Sequence, residues 1–135
     1  KIPVVFDTHH FECYKLLHKD EIFNPPDEYM HAVLETWWRR NIKPKFHVSE
    51  QGSGKIGHHS DFIEIIPEYL MEIPVKFGCN IDIMIEAKLK EQAIFKLYKK
   101  YPDLNCKKDN KVTKKLNVQA MQWAKNCKEN CLCCD

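Results

Sequence analysis

Short runs of β-branched and aromatic residues recur three times along the chain, at Ile2–Phe6, Lys45–Val48 and Ile81–Ile85, and each reads as a strand. Between the first two, Met30, Val33, Leu34 and Trp37 recur at helical spacing. This predicts an amphipathic crossover helix over Asp27–Arg40, behind Pro25 and Pro26, with Asp27 as its cap. Between the second and third, Ser60 is placed to cap a short helix carrying Phe62, Ile63 and Ile66. Pro67 is placed to open another carrying Leu70 and Ile73, which Pro74 bends or ends. Ala93, Ile94, Leu97, Tyr98 and Tyr101 share one face of a last helix that stops near Pro102. The alternation β-α-β-α-β-α with long crossovers implies parallel strands in an α/β fold, either a doubly wound sheet or part of a barrel. No Gly-rich nucleotide loop follows any of the strands, whereas each runs into polar, chemically capable residues at its C-terminal end. That favours a partial (β/α)8 TIM barrel of about three β/α units.

Length narrows the picture, since 135 residues bury one modest core. The chain opens on Lys1, and an apolar run begins at Ile2 without a lead-in, so the expected unit is a fragment of a larger fold. No stretch approaches the ~18 uninterrupted apolar residues of a membrane span, and no basic segment precedes an apolar signal core. Four of the seven cysteines, Cys127, Cys131, Cys133 and Cys134, crowd the last nine residues. Their spacing lacks the paired C-x₂-C of a zinc ribbon, so free thiols in a reducing intracellular compartment, cytoplasm or nucleus, are expected. The net charge of +2 hides an asymmetry, because residues 105–135 hold seven lysines against Asp109, Glu129 and Asp135. The tail therefore carries +4 and the rest −2. The expected division is a folded unit over 1–104 and a basic Cys/Lys-rich tail over 105–135, flexible or partly helical around Leu116–Lys125. Such a tail suits an anionic polymer, and equally suits plain solvation.

The chemistry sits at the strand ends. Asp7-Thr8-His9-His10 sets a carboxylate and an imidazole three residues apart, a donor pair suited to Mn²⁺, Zn²⁺ or Fe²⁺ more than to Ca²⁺. An Asp capping a helix beside a solvated His pair explains the same residues. In Lys45-Phe46-His47-Val48-Ser49, alternation sends Lys45, His47 and Ser49 to one face and Phe46 and Val48 to the other. Lysine and histidine would lose solvation as plain core, so a site is the economical explanation. Lys45 either holds a substrate phosphate as a point charge or, carbamylated, offers oxygen to a metal. The loop Glu50–Gly57, with Gln51, Gly52, Gly54 and Lys55, is a flexible polar run able to approach a phosphate, though it is no Walker loop. His58-His59 follows, ligating or solvated. Glu86 ends the third strand opposite Ile83 and Ile85, with a metal or Lys88 to balance it, and Asp82 on the same face is expected to pair with a lysine.

Asp7–His10, Lys45-Phe46-His47-Val48-Ser49, His59-Ser60-Asp61-Phe62-Ile63 and Ile81-Asp82-Ile83-Met84-Ile85-Glu86-Ala87-Lys88 resemble the C-terminal half of UV damage endonucleases. The resemblance runs from about Ile2 to Pro102. It implies a barrel of the xylose-isomerase-like type that holds a cluster of divalent ions, Mn²⁺ above Mg²⁺, Zn²⁺ or Fe²⁺. It also implies nicking of double-stranded DNA immediately 5′ to UV photoproducts, without ATP, leaving a 3′-hydroxyl. Carried over residue by residue, it makes Asp7, His10, His47, His59 and Glu86 metal ligands and ranks His9 and His58 behind their neighbours in each pair. It sets Lys45 at the cluster, modified or contacting phosphate; the expected catalytic residues are Lys45 and Glu86, and Lys45, Ser49, Gln51 and Lys55 are expected to face DNA. The family's N-terminal half, with further ligands and lesion-probing residues, has no counterpart in this chain. Two rival readings are a metal-dependent sugar isomerase or epimerase on the same barrel, and a non-catalytic remnant.

Overall fold

The computed structural model describes residues 2–104, so the expected Cys-rich tail and its helix lie outside the described residues. The chain runs β1 (Phe6–Asp7), α1 (Thr8–Leu17), α2 (Pro26–Trp38), β2 (Lys45–Val48), α3 (Glu68–Met71), α4 (Ile73–Phe77), β3 (Asp82–Ile85), α5 (Lys90–Lys100) and a 3₁₀ turn at Pro102–Leu104. The strands form one parallel sheet in the order β1-β2-β3. The fold is therefore α/β, built from strands joined by helical crossovers. Phe6 pairs with Phe46 and Asp7 with His47, while Lys45, Phe46, His47 and Val48 stand opposite Asp82, Ile83, Met84 and Ile85.

Register carries the sequence alternation across the sheet. Phe46 and Val48 are fully buried and join Met30, Val33, Leu34 and Trp37 of α2, Ile63, Ile66, Leu70, Ile73 and Leu97 in one core. The opposite face carries Lys45, His47, Asp82 and Met84, none of them buried. Packing thus fixes β2 on one side and leaves its other side free for chemistry. Burying Phe46 alone is worth about 1.5–3 kcal/mol.

Four local expectations change. Only Phe6–Asp7 of the first apolar run enters the ladder. Residue 4 is held instead by α2, where Val4 N donates to Thr36 Oγ1 (2.9 Å) and Trp37 Nε1 donates to the Val4 carbonyl (2.7 Å). Asp27 is not the cap of α2: Pro25 holds that position, and Asp27 and Glu28 lie in the first turn, where negative charge meets the helix dipole. An additional helix, α1, follows β1 directly. No helix forms over 60–66, because that backbone is satisfied from outside. Glu50 Oε1 accepts from Glu64 N and Ile65 N (2.8 and 2.9 Å), and the Ser60 and Asp61 carbonyls accept from Lys88 N and Leu89 N. Pro67 further disfavours helical geometry at Ile66. Pro67 does precede α3, and Pro74 sits in the first turn of α4 past the break at Glu72.

Candidate metal centre

Asp7 is positioned twice over. The β1 ladder holds its backbone beside His47, and its side chain caps α1, Oδ1 accepting from His9 N (3.0 Å) and His10 N (2.9 Å). The second oxygen, Oδ2, is left to the open face, 3.7 Å from His47 Nδ1 and 3.5 Å from His10 Nδ1. The helix-cap explanation of the Asp7 motif thus holds for one oxygen, and the other oxygen stays available to a ligand role. His47 leaves the middle of β2, and its Nδ1 lies 2.7 Å from Glu86 Oε1. Glu86 is fixed just past β3 by its own N–H, which donates to the Val48 carbonyl (3.0 Å). Its Oε2 lies 3.6 Å from His59 Nε2.

His59 arrives from the loop after β2. Gln51 and His59 form an isolated antiparallel bridge, and the Gly52 N–H donates to the His58 carbonyl (2.6 Å). A Cβ at position 52 would collide with the His59 backbone carbonyl, so glycine is required for this close approach. Gln51 braces the loop from within: Nε2 donates to the Gly52 and Lys55 carbonyls (2.8 and 2.9 Å) and Oε1 accepts from Gly57 N (2.9 Å). Lys55 is exposed, and so is His58. Ser49 is buried with its Oγ lacking a hydrogen-bond partner among the described residues, and it lines a cavity of about 330 Å³ with Thr8, His9, Glu12, Val48 and Tyr69. Burial pushes the Tyr69 hydroxyl well above its ordinary range, and the charges of Glu12 and Asp7 add to that.

Asp7, His47 and Glu86 each offer a ligand atom within 4.8 Å of the others. His10 stands beyond Asp7 and His59 beyond Glu86, with their rings 6.2 Å apart. Among the described residues, neither carboxylate has a lysine or arginine within ion-pair distance, and Lys88 is exposed and unpaired with Glu86. Two part-buried carboxylates sharing imidazoles and lacking a fixed cation are a donor set that a divalent ion fits.

Lys45 takes a different place, about two residues down the strand. Its Nζ donates to Asp82 Oδ2 (2.8 Å), and Lys43 pairs with the other oxygen. Burial acts to raise the Asp82 carboxyl, but the two lysines outweigh it and hold the group below its ordinary value. Two further residues, neither assigned a role from the sequence, border the site. Met84, opposite His47 in register, occupies the open face between Asp82 and Glu86, which strict alternation along β3 implies. His9 is buried against Cys13, with Sγ 3.6 and 3.7 Å from its ring nitrogens, and burial followed by the nearby His59 and His10 lowers its pKa. Its place one step round the helix from His10 was the available signal. No helix among the described residues is long and apolar enough to cross a membrane.

Residues 1–123 match the family model described as UV-endonuclease UvdE. A UV DNA damage endonuclease of Bacillus mycoides (strain KBAB4) is 34% identical over 127 residues, covering 91% of this chain and 36% of that protein. One from Bacillus cereus (strain B4264) is 40% identical over 100 residues, covering 71% of this chain and 29% of that protein. The chain thus spans about a third of the length of these relatives. The crystal structure of SacUVDE superposes with a TM-score of 0.50 at 27% identity, over 77% of this chain and 32% of that one. By this match, which extends over most of its length, the chain belongs to the UvdE family of UV endonucleases.

Proposed function

We infer that this chain supplies the C-terminal part, residues 1–104, of a DNA repair endonuclease that nicks double-stranded DNA immediately 5′ to UV photoproducts with a divalent metal cluster. The observation that carries this is the convergence of Asp7, His47 and Glu86, from three adjacent parallel strands, within 4.8 Å. The names of the relatives support DNA as the substrate. The architecture proposed is a partial TIM barrel of the xylose-isomerase-like type. Its support is a sheet whose strands follow chain order without reversal, with the candidate residues at their C-terminal ends. The remaining strands belong to the part of the relatives that this chain does not span. The function is placed inside the cell, and residues 105–135, outside the described residues, carry a net charge of +4.

Asp7, His10, His47, His59 and Glu86 would hold the ions; mixed carboxylate and imidazole donors suit Mn²⁺, Zn²⁺ or Fe²⁺, and the choice of Mn²⁺ follows from the family resemblance. Bound divalent ions supply the positive charge that polarises a phosphodiester and activates water. Glu86 orients the His47 ring through the 2.7 Å contact and keeps its other oxygen toward His59. Lys45, partly exposed beside Asp82, presents its charge to a phosphate oxygen, and Glu86 and Lys45 are the catalytic pair of the proposal. Ser49, Gln51 and Lys55 line the strand path: Lys55 contributes charge, Gln51 holds the loop's shape, and Ser49 offers a hydroxyl without a partner among the described residues.

The test is nicking of UV-irradiated supercoiled plasmid by the protein encoded by the full natural gene. Conversion to open circles that needs irradiation and Mn²⁺ and stops with EDTA is expected. Equal nicking of unirradiated plasmid, or activity that persists in EDTA, would contradict the proposal.

A further inference from the structure

Three imidazoles, His9, His10 and His59, stand in a near-equilateral triangle, with ring centroids 6.0, 5.9 and 6.2 Å apart. The triangle is not symmetric in exposure. His10 is open to solvent and His59 partly so, whereas His9 is 6% exposed. The cause is local. Asp7 fixes the backbone N–H groups of both His9 and His10 as the α1 cap, and consecutive helical positions point about 100° apart. His10 therefore faces the open side and His9 faces inward, against Cys13 below it.

From there the His9 ring meets His59 at 70°, edge to face. His59 comes from a loop whose approach depends on Gly52 and the bridge to Gln51, and α1 meets its ring at two places, His9 at 5.9 Å and His10 at 6.2 Å, of which only His9 is buried. The buried His9 ring is thus the fixed surface between the cap that carries Asp7 and His10 and the loop that carries His59. His9, like His10 and His59, stands outside the Asp7, His47 and Glu86 group, but it differs from both in being buried against Cys13, whereas His10 and His59 reach the carboxylates of Asp7 and Glu86.

Resting on the metal-centre reading above, we propose that His9 is a positioning residue of the site: its buried ring acts by shape, setting the spacing of the His10 and His59 rings for the ion. A ring that positions a ligand by contact is replaceable by another ring, whereas a ligand or a hydrogen-bond donor is not. Loss of a group that orients metal ligands typically costs ~10–100-fold in metal affinity.

The experiment is titration of the protein encoded by the full natural gene with Mn²⁺, free ion being read by its electron paramagnetic resonance signal. Wild type, His9→Ala, His9→Phe and His47→Ala are compared, and the melting temperature of each metal-free protein is recorded. His9→Ala is expected to weaken Mn²⁺ binding about tenfold or more and His9→Phe to restore most of it, whatever the two melting temperatures are. Equal weakening by His9→Phe and His9→Ala would overturn positioning by shape, and so would unchanged affinity in His9→Ala while His47→Ala loses binding. Failure of wild type to bind Mn²⁺ would overturn the metal-centre reading itself and with it this proposal.

Discussion

At the scale of single residues, the site economises on carboxylates. Asp7 uses one oxygen to cap α1 and the other to face His47 and His10, so one residue ends a strand, starts a helix and points at the open face. Asp7→Asn keeps an acceptor for the cap and removes the charge. It is expected to abolish Mn²⁺ binding while lowering the melting temperature by no more than a few degrees, checked by thermal melts with and without Mn²⁺. Asp82 shows the opposite use of a carboxylate, saturated by Lys43 and Lys45. Its folded pKa is depressed below the ordinary aspartate value, so its stabilising contribution is fully present above that ordinary value and is lost as pH falls through the lower folded one. Asp82→Asn should therefore lower the melting temperature near neutral pH, and the difference from wild type should shrink toward pH 2. A pH series of thermal melts checks it, and a constant difference would contradict it. Because Asp82 is well exposed, the effect is small.

At the scale of elements, the glycine-bearing loop after β2 connects sequence to site. Gly52 permits the bridge that delivers His59, and Gln51 braces the turn beneath it. Gly52→Ala is expected to displace His59 and weaken Mn²⁺ binding several-fold with the sheet intact, as followed by Mn²⁺ titration alongside circular dichroism. Phe46→Ala strikes the other face of the same strand, and a loss of about 3–5 kcal/mol in urea unfolding is expected from the cavity it leaves. These elements differ in how far the amino-acid pattern exposes them. The alternation in Lys45–Val48 separates core from site on its own, since Phe46 and Val48 bury while Lys45 and His47 do not. The spacing of Met30, Val33, Leu34 and Trp37 likewise marks the buried side of α2. The segment 60–66 misleads because Ile63 and Ile66 have helical spacing, while a distant carboxylate, Glu50, satisfies their neighbours' backbone in an extended form. Helix α1 is hard to read because its inward side bears Thr8, His9 and Cys13 in place of large aliphatic residues. The pairing of Lys45 with Asp82 rests on register between strands nearly forty residues apart, which no local pattern contains.

At the scale of the whole molecule, one parallel sheet divides the described residues into a packed side and a chemical side. Helices α2, α3, α4 and α5 contribute the side chains that bury Phe46 and Val48, and the opposite face gathers carboxylates and imidazoles. This division explains why a chain covering about a third of its relatives still holds a coherent group of candidate ligands. The ends of adjacent strands converge without help from distant sequence. The most direct measurement is equilibrium dialysis of the purified chain against Mn²⁺, with bound metal quantified in wild type, His47→Ala and Glu86→Gln. Bound Mn²⁺ in wild type and its loss in both variants, each still folded by circular dichroism, is the predicted result. Mn²⁺ bound equally by all three proteins, or by none, would contradict a metal centre at Asp7, His47 and Glu86.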